Sequence, residues 1–168
     1  HGGIEGVTVL REQAKFSLQD VAEITVIGPP LINHLVNRPP VQHPTPNYAR
    51  LCMPFVLAKV LQHGVLDAMH FRGDALFDAQ TYALACKVTM QVDDNPNPNA
   101  LGPQLVRVRL VDGRVLEHHI DAMLASPSRP LSEQARTTKF DRCWQLAAQP
   151  MGSSERLKEV VTGLDSCP

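Results

Sequence analysis

Between Leu105 and Ile120 apolar and polar residues alternate on both sides of Asp112-Gly113. An Asp-Gly pair between two alternating runs is a strong local signal for a hairpin. The side-chain period of a strand is two, so a one-residue slip sends every apolar residue to the wrong face. A two-residue loop would put Val106 and Val108 on the face of Glu117 and His119. A three-residue loop with Gly113 in the left-handed region gathers Val106, Val108, Leu110, Leu116, His118 and Ile120 instead, and sets Arg107 opposite Glu117. The second register separates apolar from charged side chains. It predicts a hairpin with one buried and one wet face.

The rest of the chain supplies elements to pack on it. Ile4, Val7, Leu10 and Ala14 stand at helical spacing and predict a helix from about Gly3 to Lys15. Val21 to Ile27 is β-branched and alternating, a strand closed by Gly28-Pro29-Pro30. Leu31 to Val36 has room for one or two helical turns. Asn37 to Pro46 holds four prolines in ten residues and reads as an extended surface loop. Asn47 is the expected N-cap of a helix over Tyr48 to Gln62, apolar nearly all round and therefore buried. Pro54 either kinks that helix near Arg50 or Leu51 or marks its true start, and Gly64 ends it. Asp67 to Phe77 reads as short turns, Asp78 as the cap of a helix reaching about Cys86, and Val88 to Val92 as a second strand.

Asp93 to Asn99 is acidic and turn-rich. It reads as a solvated loop, because prolines occupy places where an EF-hand needs ligands and a tight glycine turn. Ser126 to Pro130 is a linker turn. Ser132 caps a helix from about Glu133 to Ala147, with Ala135, Phe140, Cys143, Trp144 and Ala147 on its apolar side. Ser153 or Ser154 caps a last helix to about Val161, and Thr162 to Pro168 is a loose tail. The order helix, strand, helices, strand, hairpin, helices predicts an α+β fold. We expect one domain over residues 1–168, built on a small, mostly antiparallel four-stranded sheet packed with helices on one side.

A chain of 168 residues is long enough to bury a real core, and 43% hydrophobic residues suit a globular protein. The net charge of −1 leaves no excess of Lys and Arg to neutralise phosphates, which argues against nucleic-acid binding. No apolar run approaches the ~20 residues that cross a bilayer, and no signal-peptide pattern opens the chain. Cys52, Cys86, Cys143 and Cys167 are far apart and form no C-x-x-C, so they read as free thiols of a cytoplasmic protein. No self-contained catalytic motif appears: no glycine-rich phosphate loop, no G-x-S-x-G, no H-E-x-x-H and no zinc spacing. His118 and His119 are strand neighbours on opposite faces and cannot ligate one metal. His34, His43, His63 and His70 lie beside loops or helix ends, where solvated or capping roles are the default. No cofactor and no metal are expected.

Three stretches, in order, resemble the C-terminal half of the MmgE/PrpD family. His1-Gly2-Gly3-Ile4-Glu5-Gly6-Val7 is similar to its T-H-(G/A)-x-I-(D/E) segment. Pro46 to Ala58 is similar to its A-(R/K)-x-(S/C)-x-(P/Q)-Y-x-x-A helix, with Gly64 at the following glycine. Asp112-Gly113-Arg114, Pro130-Leu131-Ser132 and Lys139-Phe140 resemble its D-G-R, P-L-S and K-F sites. A leading His is also what a purification tag leaves, but Gly2-Gly3-Ile4 behind it favours a native residue.

The resemblance implies a two-domain, usually homodimeric enzyme that needs no metal. A helical N-terminal domain, missing here, carries most acid and base groups, and a smaller α+β domain closes over the cleft as a lid. Family members remove a proton next to a carboxylate and then lose hydroxyl, lose CO2 or reprotonate. They include 2-methylcitrate dehydratase, cis-aconitate decarboxylase and iminodisuccinate epimerase. Carried onto this chain, His1 is the catalytic candidate. Tyr48, Arg50, Cys52 and Phe55 are the substrate-binding candidates, Arg50 as a bidentate carboxylate partner. Phe55 stands where relatives often carry Tyr, which removes a hydroxyl, and Tyr48 is placed to restore a phenol. The plain alternative is that Tyr48, Arg50 and Phe55 only pack their helix. The expected partners are a small di- or tricarboxylate, the missing helical domain and a second copy, with no nucleic acid and no membrane. The competing reading is a non-catalytic dimerisation or binding domain.

Overall fold

The computed structural model describes residues 1–147 and 153–164. The chain divides into two compact units, His1–Ser126 and Pro127–Pro168. The boundary falls in the expected linker turn.

The first unit opens with α1 (Gly2–Ala14) and β1 (Val21–Gly28), followed by α2 (Pro30–Val36), α3 (Pro46–Arg50) and α4 (Met53–His63). Two 3-10 turns, Ala68–Phe71 and Gly73–Leu76, lead to α5 (Ala79–Ala85), β2 (Val88–Val92) and the hairpin β3 (Gln104–Leu110) and β4 (Val115–Ile120). The hairpin adopts the charge-separating register: Arg107 pairs with Glu117, Val108 with Leu116 and Val106 with His118. Gly113 takes φ 89°, and Leu110 N–H closes the three-residue loop on Arg114 O at 2.8 Å. Only glycine enters that region without steric cost. Across the wet face Arg107 Nε donates to Glu117 at 2.6 Å, and Arg109 to Glu23 at 2.8 Å.

The four strands run in the order β2-β1-β3-β4. The sheet is mixed rather than mostly antiparallel, because β1 pairs with β3 antiparallel but with β2 parallel. The cause is the connection. The chain from β1 to β2 passes through α2, α3, α4 and α5, and a crossover of that kind returns a strand in the same direction. Helices α1 and α4 cover one face of this sheet and bury Ile24, Val26, Val88, Val106, Val108, Leu110 and Ile120. Helix α1 lies close to β3. A Cβ on Gly6 would stand 2.5 Å from Val106 Cγ2, so no larger residue fits without moving the strand. Gly3 faces Met53 and Leu57, and Arg11 Nη1 donates to Leu61 O at 2.6 Å, so α1 and α4 run side by side in the same direction.

One helix start differs from expectation, and another resolves an open choice. Thr45, not Asn47, caps α3: its Oγ1 accepts the Tyr48 N–H at 3.3 Å. Pro46 takes the first helical position, where its missing N–H costs nothing, and Asn47 falls inside the helix. Of the alternatives at Pro54, the structure takes the later start. The helix breaks at Leu51–Cys52 and α4 begins at Met53 with Pro54 in its first turn, unkinked. Gly64 ends α4 with φ 75°.

In the second unit Ser132 Oγ caps α6 (Glu133–Leu146) by accepting the Ala135 N–H at 3.1 Å. The apolar side expected for α6 is not buried. Phe140 and Trp144 are half-buried, whereas Ala135, Cys143 and Ala147 are exposed. Helix α7 runs Ser153–Thr162, and Lys158 pairs with Asp141 of α6. Cys167 and the last residues of the expected tail lie outside the described residues.

Candidate functional site

The break between α3 and α4 determines where the candidate residues go. Cys52 is the N-cap position of α4 and is buried at 1% exposure. Its Sγ donates to Arg38 O at 3.3 Å, which ties the proline-rich loop to the helix start. Burial pushes the thiol pKa up, against smaller lowering effects from a backbone hydrogen bond with Phe55 and the charge of Arg38. Cys52 is therefore a packed thiol rather than a thiolate. Tyr48 Oη donates to Pro39 O at 2.7 Å, and the Arg38 guanidinium lies 5.4 Å from its ring centroid. The phenol anchors the loop in this arrangement.

Phe55 is buried in a cluster with Ala49, Cys52, Val56, Phe71 and Leu76, and its ring lies 6.0 Å from that of Phe71. Arg50 is exposed. Its Nη1 donates to Asn47 Oδ1 at 3.2 Å and its guanidinium lies over the Phe71 ring at 5.8 Å. The remaining donors of that fork are available to a carboxylate. His1 is exposed at the start of α1, with its carbonyl accepting the Glu5 N–H at 3.0 Å and no side-chain capping bond.

The structure brings Tyr48, Cys52 and Phe55 to one crevice, between the proline-rich loop and α5. The crevice holds about 10 Å³, room for no more than a single water. His1 lies elsewhere, on a groove of about 280 Å³ along α1 that also includes Ile4, Glu5, Thr8 and Leu124. Arg50 lines neither. Ile4 joins the two regions, because it packs against the Phe55 cluster and also lines the His1 groove.

One polar group inside the core escaped the sequence reading. Lys59 on α4 is 2% exposed, with Nζ 3.6 Å from Asp78 Oδ2 and 5.6 Å from the Phe55 ring centroid. Burial is the larger influence on its ammonium and lowers the pKa, and Asp78 opposes this. Asp78 caps α5 through the Gln80 and Thr81 amides and also accepts from Gln62 Nε2 at 2.7 Å and Thr81 Oγ1 at 2.5 Å. Burial alone would raise the Asp78 carboxyl. The hydrogen bonds from Thr81, Gln62 and Gln80, with the Lys59 charge, outweigh it and hold the group well below the usual carboxylate range. The signal was present: a lysine on a helix apolar nearly all round has to be buried or break the pattern.

Among the described residues no group of three His, Cys, Asp or Glu is placed to hold a metal ion. Cys52, Cys86 and Cys143 are free, and Cys52 is the buried one. No helix among the described residues is long and apolar enough to cross a membrane.

Fold and candidate residues together define an α+β module whose polar groups lie around a closed crevice and along one helix, without an assembled acid–base set among the described residues. The chain belongs to the MmgE/PrpD family: the model for the MmgE/PrpD C-terminal domain matches residues 1–165. No match was found among curated proteins.

Proposed function

We propose that this chain is the lid of a cofactor-independent lyase or isomerase acting on a di- or tricarboxylate by proton abstraction next to a carboxylate. The reading is carried by the match of residues 1–165 to a C-terminal domain of an enzyme family. The disposition of the candidate residues supports it. His1 and Arg50 are exposed polar groups, free to face a substrate held by another part of the protein. Cys52 and Phe55 belong to a packed cluster apart from the His1 groove. Carbanion-forming chemistry needs a base, an acid for the leaving group and cations for the carboxylates. The candidate residues offer one imidazole, His1, and one guanidinium, Arg50, toward that set, in separate places. By itself it is inactive.

The second reading is a non-catalytic dimerisation or binding domain. The observation in its favour is the crevice at Tyr48, Cys52 and Phe55, too small for any carboxylic acid.

The discriminating experiment assays the chain and the full-length protein with citrate, 2-methylcitrate and cis-aconitate. The lid reading expects turnover by the full-length protein and none by residues 1–168. Turnover by this chain alone overturns the lid assignment, and inactivity of both favours the binding domain.

A further inference from the structure

Two histidines meet at the segment joining α4 to α5. His63, the last residue of α4, stacks on His70, with ring centroids 4.3 Å apart and planes inclined by 20°. His70 lies in the 3-10 turn Ala68–Phe71 and closes a capping box with Asp67. The Asp67 carboxylate accepts the Met69 N–H at 2.8 Å, and His70 Nδ1 accepts the Asp67 N–H at 3.1 Å. The second bond constrains the chemistry. An imidazole nitrogen accepts a hydrogen bond only while it carries no proton. A capping box is ordinarily closed by Glu or Gln, which remain acceptors through neutral and mildly acid pH. With histidine in that place, closure depends on the protonation state of the ring. Imidazole ordinarily takes its second proton near pH 6.5.

We propose that the Asp67–His70 capping box, lying under the His63 ring, is an acid-sensitive clasp that keeps the turn Ala68–Phe71 closed while His70 is neutral and opens it when the ring gains a proton. Protonated Nδ1 turns from acceptor to donor and faces the Asp67 N–H. The new charge also stands at stacking distance from the His63 ring.

The surroundings contribute charges of both signs. His63 shares a groove with Arg11, Glu12 and Lys15 of α1. Helix α3 contributes Tyr48 and Arg50, whose guanidinium lies over Phe71. The chain after the turn contributes Arg72 and Asp74. Helix α5 contributes Tyr82 and Asp78, the latter already engaged by Lys59 and Gln62. Strand β2 has no ionisable side chain. Whatever these charges do, a proton on His70 Nδ1 removes the bond from the Asp67 N–H. Phe71 follows His70 and packs on Phe55, so opening the clasp loosens the wall behind the candidate substrate-binding residues. The inference goes beyond the lyase reading and does not depend on it.

Amide hydrogen exchange on the 168-residue chain tests the clasp, with rates corrected for intrinsic exchange. Protection of the Asp67 amide is expected to fall about tenfold or more between about pH 7.5 and pH 5.5. In His70→Gln, which keeps an acceptor at that position, protection persists at both values. Nitrogen chemical shifts of the unsubstituted chain give an independent readout, and at the higher pH His70 carries its proton on Nε2. A proton on Nδ1 at that pH, unchanged protection in the unsubstituted chain, or an equal loss in His70→Gln overturns the proposal.

Discussion

A lysine ammonium buried to 2% exposure, as Lys59 is, persists because Asp78 lies 3.6 Å away and the Phe55 ring is nearby. Asp78 has two duties, charge partner to Lys59 and N-cap of α5. Two substitutions separate them. Asn is as good an N-cap as Asp, so Asp78→Asn removes the charge and keeps the cap. Asp78→Ala removes both, and urea denaturation should find it less stable than Asp78→Asn by about 1 kcal/mol. Equal stabilities would mean that the cap contributes nothing. The same residue governs part of the acid limb. Its folded pKa is depressed, so the stability it contributes is present above the unfolded value near pH 4 and is lost as pH falls further. Stability measured below about pH 4 should therefore fall less steeply in Asp78→Asn than in the unsubstituted chain. The candidate residues Cys52 and Tyr48 were legible as neighbours in a helical stretch, but the break that leaves Cys52 as the N-cap of α4 was not. Nor were their bonds to Arg38 O and Pro39 O, because these depend on how an irregular proline-rich loop folds back over the break at Leu51–Cys52.

The hairpin was readable because its constraints are local. Period-two alternation, one glycine and one register choice lie within sixteen residues, from Leu105 to Ile120. Gly113 is the position on which that choice rests. Gly113→Ala has to place a Cβ at φ 89°, and thermal or urea denaturation should show a loss of about 1–2 kcal/mol. A loss near zero would mean that the loop relaxes to another turn. Partner choice in the rest of the sheet was less legible. Nothing in Val21–Gly28 or Val88–Val92 states that they pair, and the parallel direction follows from the path of four helices between them. Helix α3 shows the same limit on a smaller scale. Asn47 and Thr45 are both good caps, and Pro46 decides between them by fitting the first helical position. In α6 the apolar spacing was present in the sequence, but spacing alone does not say whether a partner surface covers it.

The core cluster from Val7 to Ile120 lies within residues 1–126, although the family match runs through both units. A fragment ending at Ser126 should therefore keep a cooperative thermal transition by circular dichroism, and a broad, non-cooperative melt would mean that the second unit is needed for folding. The class of fold was within reach of the sequence, and so was the family, because three motifs in fixed order span most of the chain. The assembly of a site was not. His1 lies on one groove and Phe55 in a separate cluster, and only tertiary packing reveals that separation. The strand order β2-β1-β3-β4 also has a consequence in time. Strand β1 is central, and both of its neighbours come much later in the chain. At about 5–20 residues per second a ribosome needs several seconds to pass from β1 to β2, the earlier of the two. During that interval Val21–Gly28 has two unpaired edges and a β-branched sequence, the kind of segment that associates with other chains. This molecule is therefore most exposed to aggregation while it is being synthesised, and a chaperone that shields its first strand would protect it most.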